Sequence, residues 1–265
     1  MKKLGLTILK ALLFMVGWAL LVSVLAAPKN ENPAVWRFWA ELLPLLCTAA
    51  VSYCFWLAEK RKICIFPSTN LIKNSVTGVA GGVIWVGIPF LIMAGIGAFR
   101  ITGHIDVRGL WLWLVSVLIN TIMQELLVRG YLYQMIRTNY NVLAAACVSS
   151  AVFTVLHGGA FEAGLIPVCN VLTMSFLMTI VLEGTKSLIT PIMMHFVWNG
   201  IGAVILGGVS LAEDYPHVFM GVFEGSEILT GGNCKMEGSI IVFFINILMM
   251  IGLLIYYRRS VYKSM

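Results

Sequence analysis

Gln124, Glu125, Arg129, His157, His195 and Asn199 are polar or ionisable side chains set in long apolar stretches, with Asn120 and Asn170 as lesser members. Such groups are costly inside a membrane span and mark functional sites by default. Glu125 and Arg129 are four residues apart, so they share a helix face and can pair. His195 and Asn199 repeat that spacing, as do Phe153 and His157. A carboxylate, an imidazole and an imidazole–amide pair are parts for hydrolysis. One group takes a proton from water, and others stabilise the oxyanion on the attacked carbonyl. Glu125, His157 and His195 could instead hold a divalent metal such as zinc with an open position. The same set could simply fix helix packing through interhelical hydrogen bonds, worth about 1 kcal/mol each. Residue type and spacing leave all three readings open.

No Ser or Cys joins the set. Ser149 and Ser150 lie two turns from His157 without a carboxylate. The six Cys show no metal spacing and read as small core residues. Glu41 lies near the outer end of its span, where it can reach the interface. His104 and His217 fall in outer loops.

The elements that must carry these groups are membrane helices. Apolar types make up 60% of the 265 residues and charged types 11%. Mean hydropathy is +0.92. A soluble domain averages about 25% charged residues, so composition excludes an ordinary cytosolic enzyme, a disordered chain and a nucleic-acid module. A spanning helix needs about 20 apolar residues. The sequence offers 5–26, 36–58, 75–98, 109–136, 142–158, 162–182, 187–210 and 238–257. This predicts an all-α polytopic bundle of about eight helices, multi-pass in the cell membrane, with lipid around it and no nucleic-acid partner. The first stretch reads as a retained span rather than a signal peptide. Three regions follow: N-terminal spans over 1–108, a helical core with the polar set over 109–210, and an outer loop with the last span over 211–265.

Orientation follows from the cations. Of the 18 Lys and Arg, Lys29, Arg37, Arg100, Arg108 and Lys235 fall in outer loops if the N-terminus is cytoplasmic. Arg129 lies within a span, and the rest are inside. Both termini are then cytoplasmic. The outer loop 211–237 is acidic, with Glu213, Asp214, Glu224, Glu227 and Glu237 against Lys235.

At the polar set the sequence resembles the CAAX-protease and bacteriocin-processing family of intramembrane endopeptidases, which includes the type II CAAX prenyl endopeptidases. The family pattern is Glu-Glu-x-x-x-Arg, then Phe-x-x-x-His, then His-x-x-x-Asn or His-x-x-x-Asp. Here it reads Gln124-Glu125 through Arg129, Phe153 through His157, and His195 through Asn199, within roughly residues 110–205. The resemblance implies a catalytic core over 109–210 and a peptide, membrane-bound or prenylated substrate cut by direct water attack. It assigns Glu125 as the base or its orienter and His157 to share the water. It gives His195 and Asn199 the oxyanion, and Arg129 the neutralisation of Glu125. Zinc remains open as a cofactor. Gln124 departs from the pattern, because the family places its water-activating carboxylate there and a neutral amide has no basic pKa near 7. Three outcomes are consistent with this. Glu125 or His157 serves as base, the chain is a silent member acting in bacteriocin-type immunity, or the glutamine was introduced for a glutamate.

Overall fold

The computed structural model describes residues 2–210 and 215–263. Its helices are α1 Lys2–Ser23, α2 Pro33–Ala58, α3 Leu71–Gly95, α4 Leu110–Glu125, α5 Tyr133–Asn139, α6 Val142–Leu156, α7 Gly158–Ala163, α8 Leu165–Thr185, α9 Ile189–Asn199, α10 Glu227–Thr230 and α11 Ile240–Lys263. π-helical segments follow α4 (Leu126–Leu132) and α9 (Gly200–Ile205), and a 3₁₀ segment, Gly232–Gly238, precedes α11. The expected all-α polytopic bundle is the architecture found. Among the described residues six helices are long and apolar enough to cross a bilayer, which makes this a membrane protein. The other two expected spans are shorter, Val142–Leu156 and Ile189–Ile205. These two carry His157 at a helix end and the His195–Asn199 motif.

Local signals explain the boundaries. Asn32 caps α2 by accepting from the Ala34 N–H, with Pro33 at the first helical position. Asn70 caps α3 through the Lys73 N–H. The chain enters α4 through Gly109 at φ 68°, a left-handed conformation that glycine adopts without a Cβ clash.

Two compact units form. The first comprises Met1–Pro67 and Gly109–Ser149, the second Ser68–Arg108 and Ser150–Met265. In the first, Phe14 of α1 packs on Phe55 of α2 and on Tyr131 of the π segment. Its buried polar groups include Glu41, which departs from the interfacial position expected of it. Glu41 is 6% exposed. It is held by Arg37, one turn earlier, and by the side-chain amide of Asn120. A carboxylate satisfied by a cation and an amide has no need to reach water.

In the second unit α3 lies against α9. Gly78 and Gly82 permit this approach. A Cβ at Gly78 would sit 2.5 Å from the Thr190 carbonyl oxygen, and one at Gly82 would sit 2.6 Å from the Val197 Cβ. Small residues one turn apart are the usual means of bringing membrane helices together. Trp85 of α3 stacks on Trp198 of α9 at 4.1 Å. The Trp85 indole donates to Asn246 of α11, which in turn donates to Thr173 of α8. The two polar links tie α3, α11 and α8, and the stack adds α9.

A two-stranded antiparallel ribbon, absent from the sequence expectation, pairs β1 Phe99–His104 with β2 Phe219–Phe223. It places two stretches expected as outer loops side by side. The Cys expectation also changes. Cys47 is buried, but Cys54, Cys64 and Cys147 are exposed on the chain's own surface, where an apolar thiol meets lipid as readily as a core.

Candidate active site

The Glu125 motif straddles a change of helix type. Glu125 ends α4 and Arg129 lies in the π segment. A π turn closes i→i+5 hydrogen bonds and occurs often at functional sites. Both side chains are fully buried, and Arg129 Nη1 donates to Glu125 Oε2 at 2.9 Å. The expected pairing is therefore formed inside the first unit. It neutralises the carboxylate and fixes its rotamer, and it commits one oxygen of Glu125 to the guanidinium.

Gln124 faces a different network. Its amide nitrogen donates to Asn120 Oδ1 at 2.7 Å, and Asn120 Nδ2 donates to Glu41 Oε2 at 2.7 Å. Arg37, Glu41, Asn120 and Gln124 thus form one hydrogen-bonded row. At its end, Gln124 Oε1 is buried with no hydrogen-bond partner among the described residues. That atom can accept a hydrogen bond from water but cannot take its proton.

In the second unit, His157 leaves the end of α6 in a non-helical conformation and caps the short α7. Its Nδ1 lies 2.8 Å from the Phe153 carbonyl oxygen. A carbonyl only accepts, so Nδ1 carries the proton and Nε2 is the basic nitrogen of the neutral ring. Phe153 stands between the two histidines. Its ring centroid is 4.3 Å from that of His157 and 6.1 Å from that of His195. His157 and His195 are therefore brought together around one aromatic ring. His195 and Asn199 are buried on α9 at 2% and 5% exposure. Asn199 ends that helix where the second π segment begins. Both i, i+4 motifs with an acid or amide thus border a wide helical turn.

Each unit holds its own part of the expected set. Gln124, Glu125 and Arg129 lie in the first, and His157, His195 and Asn199 in the second. Among the described residues no three His, Cys, Asp or Glu side chains gather as a metal site needs.

Glu237, outside the expected set, and Asn170, one of its lesser members, also bear on the site. Glu237, read as part of an acidic loop, has its Oε2 held by the Ser210 N–H at 3.1 Å. Asn170 donates its amide to the carbonyls of Glu237 and Ser239 at 2.7 and 2.9 Å. Its role is to anchor that segment against α8. An isolated acid followed by Gly238 just before an apolar span was the available signal for Glu237. Glu213 and Asp214 of the same acidic loop lie outside the described residues. His217 is half-buried rather than solvated, and its burial with nearby Lys235 holds its pKa below the usual histidine value.

Residues 106–201 match the family described as type II CAAX prenyl endopeptidase Rce1-like. The matched stretch contains all three motifs and ends two residues after Asn199. No curated protein matches the chain.

Proposed function

We propose that the chain is a multi-pass intramembrane endopeptidase of the cell membrane. It hydrolyses a peptide bond in a peptide, membrane-bound or prenylated substrate by direct attack of water. The observation that carries this reading is the family match over the segment holding Gln124, Glu125, Arg129, His157, His195 and Asn199. The tautomer of His157 supports it, because Nδ1–H on the Phe153 carbonyl presents Nε2 as the nitrogen that can accept a hydrogen bond from water. Arg129 fixes the Glu125 carboxylate. His195 and Asn199 stabilise the oxyanion. Both termini face the cytoplasm and the 211–237 loop faces outward, in line with the Lys and Arg distribution.

The test is cleavage of a farnesylated peptide ending in Cys-Val-Ile-Met, the kind of tail that carries a prenyl group. The chain as it stands is expected to cut slowly. Gln124→Glu is expected to raise the rate by roughly 10²- to 10⁴-fold, the contribution of a positioned base. His157→Ala is expected to abolish cleavage in both backgrounds. No cleavage by the chain or by Gln124→Glu refutes the reading. A second reading, a silent member that binds a peptide in bacteriocin-type immunity, is favoured by one observation. The only group at position 124 is an amide bonded into the Asn120–Glu41 row.

A further inference from the structure

A cavity of about 390 Å³ opens beside His157, with Ser210, Asn233, Cys234 and Glu237 among its lining residues. Its size falls in the range of small-ligand sites, and its few polar groups converge within apolar walls. All of these residues belong to the second unit. Glu237 is not there by accident of a loose loop. Lys235 Nζ donates to the Gly207 carbonyl, the Met236 N–H donates to the Gly208 carbonyl, and the Ser210 N–H donates to the Glu237 carboxylate. Asn170 grips the same segment from α8. Residues 235–237 are thus fixed on two sides. The ammonium nearest in sequence is committed to a carbonyl. Glu237 Oε2 accepts from the Ser210 backbone N–H, and the Trp198 side chain and the Lys235 ammonium also act on its carboxylate. Burying a carboxylate is costly even with such partners, which marks Glu237 as a candidate for chemistry.

We infer that this cavity receives the scissile segment of the peptide substrate and that Glu237 is the proton acceptor of the chain as it stands, a slower one than a carboxylate at position 124. The inference rests on the endopeptidase reading above. Water bound between His157 and the Glu237 carboxylate attacks the carbonyl carbon. As the C–O bond forms, Glu237 takes the proton from water. As the C–N bond breaks, it delivers that proton to the departing amine nitrogen. Water is the sole co-reactant, and the carboxylate is regenerated. Position 237 lies outside the matched stretch of 106–201, so this acid belongs to the chain's own C-terminal part.

The binding half is tested without catalysis. In protein whose other five Cys are replaced by Ala, Cys234 is labelled with a water-soluble maleimide, with and without the farnesylated Cys-Val-Ile-Met peptide. Labelling is expected to slow several-fold with the peptide present. An unchanged rate overturns the inference whatever the activity. For the chemical half, Glu237→Gln keeps an acceptor oxygen for the Ser210 N–H. It is expected to lower kcat by about 10²-fold or more, with KM, thermal stability and Cys234 protection unchanged. A full kcat in Glu237→Gln overturns the proton-acceptor role, while cleavage by the unaltered chain leaves the endopeptidase reading standing. Protection of Cys234 with no cleavage by the unaltered chain or by Gln124→Glu upholds the binding site. That result removes the endopeptidase reading, and the proton-acceptor role with it.

Discussion

Asn120 donates its side-chain amide to the Glu41 carboxylate at 2.7 Å, joining two helices of one unit across 79 positions of sequence. The same residue accepts from Gln124, so one amide serves an anion on one side and an amide on the other. An amide is suited to this because it donates and accepts at once.

Asn120→Leu removes both links while keeping the volume. It leaves the Glu41 carboxylate short of a donor and the Gln124 amide short of an acceptor. The expected cost is about 1–3 kcal/mol, the penalty for stranding a buried polar group. Thermal unfolding in detergent measures it. Asn120→Asp places a second anion against Glu41 and is expected to be worse. An unchanged melting temperature in both variants would mean that the row contributes nothing to stability.

Arg129→Ala strands the fully buried Glu125. Removing one partner of a buried pair costs about 3–5 kcal/mol, so folding and activity are expected to fall together. The double variant Glu125→Leu with Arg129→Met removes both charges and is expected to regain most of the stability while staying inactive. Chemical unfolding of the three proteins separates the outcomes. A double variant no more stable than Arg129→Ala would assign the cost to lost packing.

Topology is checked by cysteine labelling. Cys placed at 60 and at 224, in a background without other reactive Cys, is expected to react from opposite sides of the membrane. Glu224 pairs with Arg100 across the ribbon, but both are more than half exposed, so the substitution costs little stability. Reaction of both positions from one side would overturn the orientation.

The apolar runs made the bundle legible, because long unbroken hydrophobic stretches admit only membrane helices here. The i, i+4 spacing foretold the Glu125–Arg129 pair, which is local to one helix. The ribbon of 99–104 with 219–223 could not be read, since its partners are far apart in sequence and Phe219–Phe223 does not alternate. The π turns after Glu125 and Asn199 were equally silent. A wide turn changes backbone bonding without demanding a particular residue. Glu41 was misplaced because distance from a span's end says nothing about which neighbours face it. Glu237 escaped notice for a related reason. Its meaning depends on Ser210 and on Asn170, 67 positions away, and neither contact leaves a mark in a linear pattern. The glycines at 78 and 82 did carry a readable signal, a small-x-x-x-small face, that points to close helix contact.

The contact at those glycines restricts how the protein can breathe. With the α9 backbone and the Val197 side chain occupying the space that side chains on α3 would otherwise fill, sliding one helix along the other drives the flanking residues of α3 into α9. The two helices therefore travel as one rigid body, keyed further by the Trp85–Trp198 stack. Any opening toward His195 must therefore come from other elements, and the histidine keeps a constant depth relative to α3 as they move.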